Sequence, residues 1–483
     1  EITTRLVGSE MCIRDSKNTK QIPKTVYSEK EEGSKVSICS SYSDYEEGYA
    51  VAGKINDMRM QNYDYADFAI LYRTNAQSRI LEEALRKRGI PYKIYGGLSF
   101  YQRKEVKDVI SYLRLIVNPH DEEAFKRVIN YPARGIGDTT LNKLVVAATD
   151  HNVSLWTVLN DPIGYALPVN NGTAKKLSDF RELISGFIER NVKLSAEEIA
   201  AAVVKESGIV STLFQDRSVE GISKQENLQE LLKGIAEFCE IRREEGTEHV
   251  SLADFLSEVS LLTDQDNDKE EQANKVTMMT VHAAKGLEFR NVFVVGLEED
   301  LFPSAMSKDN PRAVEEERRL FYVAITRAEE NCVLTHARSR YRNGQSTMCS
   351  PSRFLKDIDP KYIYTSADAV TTNGLLATRR SSVFQQPKAM EGEAYVSPVA
   401  QAVGRQARLT RMETASLSSA PSSSSAPALS GLHVGAKVRH DRFGEGEVTA
   451  IEGEGGNAKA TVSFAHFGQK QLLLKFARLT IVE

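Results

Sequence analysis

Short apolar runs alternate with amphipathic helical patterns along the first hundred residues. Residues 68–72 (FAILY) form an uninterrupted apolar run, which is typical of a strand buried on both faces of a parallel sheet. Residues 76–88 repeat apolar positions at helical spacing, and Gly89 and Pro91 then end the helix. The predicted elements in chain order are a strand at 36–39, a helix at 44–60, a strand at 68–72, a helix at 76–88 and a strand at 92–95. This β-α-β order predicts an α/β fold with a parallel sheet.

The pattern becomes helical near residue 101 and stays helical to about residue 270. Val106, Val109, Leu113 and Ile116 mark the first amphipathic helix. The elements after this region are strands at 276–281 and 292–296, a helix at 314–329 and a strand at 332–335. We interpret the chain as one sheet domain, formed by 17–100 and 273–365, that is interrupted by an all-helical insertion at 101–272. Two separate α/β domains are the alternative, although the first segment has too few strands to form a stable sheet alone.

The remaining segments differ in composition from both of these domains. Residues 1–16 do not join smoothly to the chain beyond them, so we expect an artefactual segment there, or alternatively an ordinary disordered tail. Residues 366–430 are poor in aromatic residues and rich in Ser, Ala, Thr and Gln, which predicts a disordered linker. Residues 431–483 alternate short β-branched runs with glycine turns, which indicates a small SH3-like or Tudor-like β-barrel.

Composition narrows the class of protein only slightly. The 483 residues carry a net charge of -4, which argues against a protein that coats nucleic acid but not against a local DNA-binding groove. The five cysteines form no CxxC pair, so neither a disulfide framework nor a zinc site is expected. No apolar run is long enough to span a membrane, and no signal-peptide pattern opens the chain. These features predict a cytoplasmic protein without a membrane partner.

Two long motifs lie in the last part of the sheet domain, one before the predicted helix at 314–329 and one on it. The first is TVHAAKGLEF at 280–289, directly after a predicted strand, and the second is EEERRLFYVAITRA at 315–328. Together they resemble motifs V and VI of superfamily 1 DNA helicases of the UvrD/PcrA type. The resemblance implies that the sheet domain is the second RecA-like motor domain (2A) and that the helical insertion is the family's 2B domain.

The resemblance also implies ATP and Mg²⁺ as cofactors and assigns Gly286, Glu288 and Arg327 to the nucleotide. Arg327 matches the family's arginine finger, a fixed guanidinium that stabilises charge on a transferring phosphoryl group. A structural salt bridge within 315–319 is the alternative for an isolated arginine. The carboxylate of Glu288 can accept hydrogen bonds from ribose hydroxyls, and a merely solvated side chain is its alternative.

Single-stranded DNA is the second ligand that the resemblance implies. Motif V assigns His282 and Lys285 to the contact with single-stranded DNA. Without the motif, the alternative for His282 is a buried, hydrogen-bonded histidine. LYRTNAQSR at 71–79 resembles motif IVa and places Arg73 and Asn75 at the carboxyl end of a strand, where α/β folds bind ligands. The alternative for Asn75 is an N-cap of the following helix.

Duplex DNA at a junction is the third expected ligand, through a loop of the insertion. PARGIGDTT at 132–140 resembles the family's GIG loop, which predicts duplex contact by Arg134, Gly135, Ile136 and Gly137. A glycine-rich turn before a helix exposes backbone N–H groups that grip a phosphate without reading the base sequence. A plain turn between helices is the alternative. The double glycine at 96–97 and the polar stretch at 263–274 are the expected hinges of the insertion.

The C-terminal segment VGAKVRHDRFGEGEV at 434–448 resembles the Tudor-like tail of the same helicases. That tail implies RNA polymerase or repair proteins as partners. The family's P-loop pattern GxxxxGK[ST] does not occur in the sequence, so we expect the chain to be the C-terminal half of a 3′–5′ DNA helicase of repair or replication, inactive alone. The alternatives are a non-catalytic adaptor that binds DNA or RNA polymerase, and the helicase half of an AddA-like helicase-nuclease.

Overall fold

A parallel β-sheet joins segments from both sides of the helical region. The computed structural model describes residues 33–266, 274–342, 345–365 and 432–482, with 441, 454–457, 466 and 478 excepted. The strands of the sheet are β1 (Val36–Ser43), β2 (Phe68–Tyr72), β3 (Tyr92–Ile94), β4 (Val276–Thr280), β5 (Phe289–Val294), β6 (Ala328–Arg342), β7 (Gln345–Met348) and β8 (Ile363–Thr365). Their order across the sheet is β3-β4-β2-β5-β6-β1-β8, parallel at every step, and β7 pairs antiparallel with β6.

The central strand β2 shows how the two segments combine. All five of its residues are buried, as expected of an apolar run covered on both faces. Ile70 is in register with Met278 of β4 on one side and with Phe293 of β5 on the other. Strands from before and after the helical region therefore alternate within one sheet. This confirms the predicted parallel α/β fold, and the alternative of two separate sheets is wrong.

Helices α1 (Asp44–Arg59) and α2 (Ser78–Lys87) connect the first three strands. Between β3 and β4 the described residues form nine α-helices: α3 (Lys104–Val117), α4 (Glu122–Val128), α5 (Asp138–Asp150), α6 (Leu155–Asn160), α7 (Asn171–Asn191), α8 (Ala196–Glu206), α9 (Ile209–Gln215), α10 (Val219–Glu244) and α11 (Leu252–Asp266). These helices enclose an apolar core of their own, which includes the fully buried Phe125, Phe180 and Phe187. This core shares no residue with the apolar cluster around β5. The helical region thus has an apolar core of its own.

The last helix of the sheet domain, α12 (Pro311–Ile325), is shorter than the predicted 314–329 helix at its C-terminal end. Asn310 caps its start, since the side chain accepts hydrogen bonds from two backbone amides of the first turn. The hydroxyl of Thr326 donates to the carbonyl of Val323, and β6 begins only two residues later. The predicted strand at 332–335 is therefore only the centre of β6, and Arg327 lies in the connection rather than on the helix.

A buried arginine of β6 forms ion pairs that connect this strand to α1. Arg340 forms ion pairs with Glu298 and, at 2.7 Å, with Glu47 of α1. Glu47 also accepts hydrogen bonds from the Thr335 hydroxyl and from the Gly296 amide. Burial raises the pKa of the Glu47 carboxyl, partly offset by the positive charge of Arg340. The sheet thus contains a buried ionic network that depends on one guanidinium.

Residues 432–482 form a small antiparallel sheet, which we call the C-terminal module. Its strands are β9 (Lys437–His440), β10 (Gly444–Glu452), β11 (Lys459–Phe464), β12 (Gly468–Leu473) and β13 (Leu479–Ile481), in the order β12-β11-β10-β9-β13. Alternate residues of β11 are buried, as expected of strands with one face on a core. This confirms the predicted small β domain. The predictions for 1–16 and 366–430 lie outside the described residues.

Candidate functional site

The candidate residues of the sheet domain lie at two opposite edges of the sheet. Arg73 follows β2 and His282 follows β4, so both lie at the carboxyl edge, where the Val281 amide donates to the Tyr72 carbonyl at 2.9 Å. Glu288 immediately precedes β5 and Arg327 immediately precedes β6, so both lie at the amino edge. Glu288 therefore precedes a strand, and the loop from His282 to Glu288 crosses from one edge to the other.

At the amino edge, the guanidinium of Arg327 is held by neutral acceptors. It donates to the Leu287 carbonyl at 2.9 Å, the Thr326 hydroxyl at 3.0 Å and the Val323 carbonyl at 3.2 Å. The Phe289 amide in turn donates to the Arg327 carbonyl at 2.9 Å. Among the described residues Arg327 forms no ion pair, so the alternative of a salt bridge within 315–319 is not realised there. Its charge is oriented but not compensated.

The loop of the first motif brings Gly286 and Glu288 beside this arginine. Gly286 has a φ of 89°, a left-handed conformation that side-chain-bearing residues rarely adopt. Glu288 is exposed and adjoins Leu287, whose carbonyl binds Arg327. The two motifs that are far apart in sequence therefore meet at one edge, where a carboxylate and a guanidinium can contact the same ligand.

At the carboxyl edge, Arg73 is already paired. Its guanidinium binds Glu317 of α12 in a bidentate manner, with Nη2–Oε1 at 2.6 Å and Nε–Oε2 at 2.9 Å. Glu317 is only 6% exposed, and the sequence analysis missed it. A signal was present, because Glu317 shares the helical spacing of Val314, Phe321 and Ala324, the buried face of α12. An acidic residue on an apolar face indicates a buried partner.

His282 is exposed beside this ion pair. The pKa of its imidazole lies below the ordinary value, because partial burial and the charge of Arg73 disfavour protonation, while Glu317 acts in the opposite direction. The alternative that His282 is a buried, hydrogen-bonded histidine is therefore wrong, because its side chain is exposed. Lys285, in the same loop, is also exposed.

The segment after β2 corrects one further expectation. The residue that caps the helical turn at Asn75–Gln77 is Thr74, in a reciprocal capping box with Gln77, so the N-cap alternative for Asn75 is wrong. The side chain of Asn75 is exposed, and the backbone carbonyl of Asn75 accepts a hydrogen bond from the Arg103 guanidinium at 2.9 Å. Asn75 therefore remains available at the carboxyl edge.

The GIG loop of the insertion is built around a buried anchor. Ile136 is 2% exposed, whereas Gly135 and Gly137 are exposed on either side of it. The guanidinium of Arg134 faces inward and donates to the carbonyls of Val128, Tyr131, Pro132 and Ser207 and to the hydroxyl of Tyr112. The exposed Lys176 of α7 places its Nζ 3.1 Å from the Gly135 carbonyl. Lys176, which sequence reasoning missed, supplies the cation at the surface of this loop.

The described residues hold neither a cluster of metal-ligating side chains nor a membrane-spanning helix. They contain no group of three His, Cys, Asp or Glu side chains arranged to hold a metal ion. In the same part of the chain, every helix is too short or too polar to cross a membrane.

Comparison with known proteins agrees with the two motifs. Residues 3–339 match the family model of the UvrD-like helicase C-terminal domain, and residues 434–480 match the PcrA/UvrD tudor domain. The chain is 34% identical over 469 residues to the ATP-dependent DNA helicase PcrA of Staphylococcus epidermidis, with 96% of this chain and 58% of that protein covered.

Two other relatives give nearly the same result. DNA helicase II of Escherichia coli is 34% identical over 465 residues, covering 96% of this chain and 58% of that protein. PcrA of Bacillus subtilis is 35% identical over 481 residues, covering 98% of this chain and 60% of that protein. The chain thus spans less than two thirds of the length of these relatives. It belongs to the UvrD-like helicase family, with the family's C-terminal domain followed by a PcrA/UvrD tudor domain.

Proposed function

We propose that this chain is the C-terminal part of an ATP-dependent DNA helicase that moves 3′ to 5′ on single-stranded DNA. The observation that carries the proposal is the oriented, uncompensated guanidinium of Arg327 beside Glu288. Family membership supports it, since the relatives that cover most of this chain are named as DNA helicases. In this proposal Arg327 acts as the arginine finger.

The amino edge fits a nucleoside triphosphate. Arg327 offers a positive charge for a phosphate, Glu288 offers carboxylate oxygens for ribose hydroxyls, and Gly286 allows the loop to turn between them. Bound ATP with Mg²⁺ supplies the phosphate bond whose hydrolysis drives movement. Because the sequence contains no GxxxxGK[ST], we infer that a separate segment holds most of the nucleotide and its metal ion.

The carboxyl edge fits the phosphates and bases of a single strand. Arg73, Asn75 and His282 converge there, and Lys285 follows in the same loop. Arg73 must exchange some of its contact with Glu317 for a phosphate, so strand binding would alter an ion pair on α12. A phosphate contact of this kind holds DNA without reading its sequence.

The helix α12 gives these two edges a mechanical connection. Glu317 lies near its middle and Arg327 follows its end, and the helical part between them spans about 12 Å at 1.5 Å per residue. A change in the pairing of Glu317 can thereby shift the element that positions Arg327. We propose this helix as the route by which strand binding and nucleotide hydrolysis influence each other.

The helical insertion is proposed to contact the duplex ahead of the strand. Gly135 and Gly137 expose backbone at the GIG loop, and Lys176 adds a positive charge beside them. The C-terminal module would bind RNA polymerase or a repair protein, as the family resemblance implies.

The proposal is tested by joining this chain to the remaining N-terminal part of its Bacillus subtilis relative. ATP hydrolysis is measured with and without single-stranded DNA, and unwinding is measured on duplexes with 3′ or 5′ tails. We expect DNA-stimulated hydrolysis and unwinding only from the 3′ tail. DNA binding without hydrolysis would instead favour the non-catalytic adaptor.

A further inference from the structure

The C-terminal module packs against two bodies of the chain at once. One is the sheet domain at the junction of β1 and α1, where the Ser43 hydroxyl donates to the Arg442 carbonyl at 2.7 Å. The other is α10 of the helical insertion, which presents Glu240 and Glu244 to the module. A single small domain therefore bridges two bodies whose apolar cores are separate.

The contact with the sheet domain is aromatic. Tyr45 and Tyr49 lie one turn apart on α1, with ring centroids 4.9 Å apart, and both are buried. Phe467 of the module stacks on Tyr45 at 5.4 Å with an interplanar angle of 3°, and lies 4.5 Å from Tyr49. Phe443 meets the edge of Tyr45 at 6.2 Å. Aromatic pairs of this geometry add to the free energy of burial.

The contact with α10 combines a buried hydrogen bond of His440 with an ion pair of Arg442. His440 Nε2 lies 3.0 Å from Glu244 Oε1, and both side chains are 2% exposed. Arg442 Nη2 lies 2.5 Å from Glu240 Oε2. Removing one member of a buried pair leaves the other charge without compensation, so such contacts fix an orientation strongly.

The insertion and the sheet domain touch each other directly through charges as well. Arg79 of α2 binds Glu230 at 2.7 Å and Glu237 at 2.6 Å, and Lys233 of α10 pairs with Asp44 of α1. Desolvation offsets much of the Coulomb energy of such pairs. A contact formed by ion pairs restrains rotation of the insertion on the sheet domain less than a shared apolar core would. A further contact through the C-terminal module therefore restrains that rotation more.

We propose that the C-terminal module is an intramolecular clamp, whose face formed by His440, Arg442, Phe443 and Phe467 binds α1 and α10 together and holds the insertion in one orientation on the sheet domain. This rests on the proposed function in one respect, the insertion being a moving part of the helicase. Release of the clamp frees the insertion to reorient, and occupation of the same face by another protein releases it.

The clamp is tested in the whole chain by distances between pairs of spin labels, without DNA or nucleotide. One pair, Met60→Cys with Val192→Cys, reports the insertion against the sheet domain. A second pair, Met60→Cys with Val434→Cys, reports the module against the sheet domain. All three positions are exposed, and the other reactive cysteines are replaced.

Arg442→Glu breaks the ion pairs with Glu240 and Glu244 of α10, and Arg442→Glu combined with Glu240→Arg restores the first of them with reversed charges. Phe467→Ser weakens the aromatic contact independently. Lys437→Glu is the matched control, since Lys437 is exposed on β9 of the same module.

We expect one narrow distance distribution for each pair in the unaltered protein and in the control. Arg442→Glu and Phe467→Ser should broaden both distributions, and the charge swap should narrow both again. Broadening of the module pair alone would overturn the clamp, and so would the absence of any change in both pairs. Because no DNA is present, failure of the helicase proposal leaves this measurement valid.

Discussion

Arg327 combines a fixed direction with an available charge. Three neutral acceptors hold its guanidinium, and it forms no ion pair with the carboxylates of the described residues. A guanidinium that had a carboxylate partner would have to give up that partner before binding a phosphate. Here the charge can meet an anion without such an exchange, which is the preorganisation that electrostatic catalysis requires.

We predict that Arg327→Ala abolishes most ATP hydrolysis by the chain joined to the N-terminal part of its relative. Removal of an arginine finger typically lowers the rate by about 10³–10⁵-fold. Steady-state phosphate release measures this, and DNA affinity should stay nearly unchanged. Arg319→Ala is the control, because Arg319 is half exposed on α12 and, among the residues that the structure describes, forms an ion pair with Glu316 alone. A fall of less than about tenfold would show that Arg327 is structural.

In the proposed function, Glu317 would compete with DNA phosphates for Arg73, to which it is paired in the structure. We predict that Glu317→Gln raises the affinity for single-stranded DNA by roughly fivefold at low salt, the equivalent of about 1 kcal/mol for a partly exposed ion pair. Fluorescence anisotropy with a labelled oligonucleotide measures it. The exposed Glu316→Gln is the control. In an Arg73→Gln background the effect should vanish, and an equal gain there would contradict the competition.

At the scale of elements, local patterns predicted most of the fold. The buried strand β2, the glycine stop after α2 and the return of strands after the insertion all follow from periodicity and turn chemistry. The end of α12 could not be predicted in this way, because apolar residues continue at helical spacing from the helix into β6. The pairing of Arg73 with Glu317 depends on residues 244 positions apart, so only the assembled sheet reveals it.

The buried network around Arg340 should show its dependence on that residue. We predict that Arg340→Met lowers the free energy of unfolding by about 3–5 kcal/mol, because Glu47 and Glu298 lose their shared partner. The pKa of Glu47, already raised by burial, rises further without the guanidinium. A carboxyl with a raised pKa favours the folded state at low pH, and this contribution is lost as pH rises through the folded-state pKa.

The loss caused by Arg340→Met should therefore be smaller at pH 5 than at pH 8. Urea unfolding followed by circular dichroism at both pH values measures it. Arg318→Met is a comparison variant, since Arg318 pairs with Asp357 outside this network. An Arg340→Met loss that is the same at both pH values would mean that the pKa of Glu47 does not rise when the guanidinium is removed.

The GIG loop permits a test that leaves the fold intact. A Cβ at Gly137 meets no atom within 4 Å, whereas one at Gly135 meets Lys176 Nζ at 2.6 Å and its φ of 69° is strained. We predict that Gly137→Leu lowers duplex affinity about equally for any sequence, and that replacing both glycines lowers it further. The slope of the logarithm of the duplex-binding constant against the logarithm of the salt concentration should become shallower by about 0.9 in Lys176→Ala, because one phosphate contact is lost.

A hairpin with a single-stranded tail and the tail alone, titrated at several salt concentrations, separate these effects. Gly186→Leu is the matched control, because a Cβ there also meets nothing within 4 Å. Affinity for the tail should change little in Gly137→Leu. Equal losses on both DNAs would indicate misfolding, and no loss on the hairpin would reduce the loop to a turn between helices.

At the scale of the whole molecule, the sheet separates the proposed strand-binding residues from the proposed nucleotide-binding residues. Arg73 and His282 lie at its carboxyl edge, whereas Glu288 and Arg327 lie at its amino edge. The loop from His282 to Glu288 and the helix α12 both cross between these edges. The insertion and the C-terminal module are attached to the same domain through charged and aromatic contacts. Packed elements therefore connect both edges to the insertion and to the C-terminal module within the described residues.

This arrangement leads to a prediction about the chain by itself. It offers a guanidinium and a carboxylate to a nucleotide, but the P-loop pattern that surrounds phosphates with backbone amides and a lysine is absent from its sequence. We therefore expect no ATP hydrolysis and no tight nucleotide binding by the purified chain, while single-stranded DNA still binds. Phosphate release and titration with a fluorescent ATP analogue measure the first two. Turnover above background that Arg327→Ala removes would contradict this, because such turnover would come from a complete site within these residues.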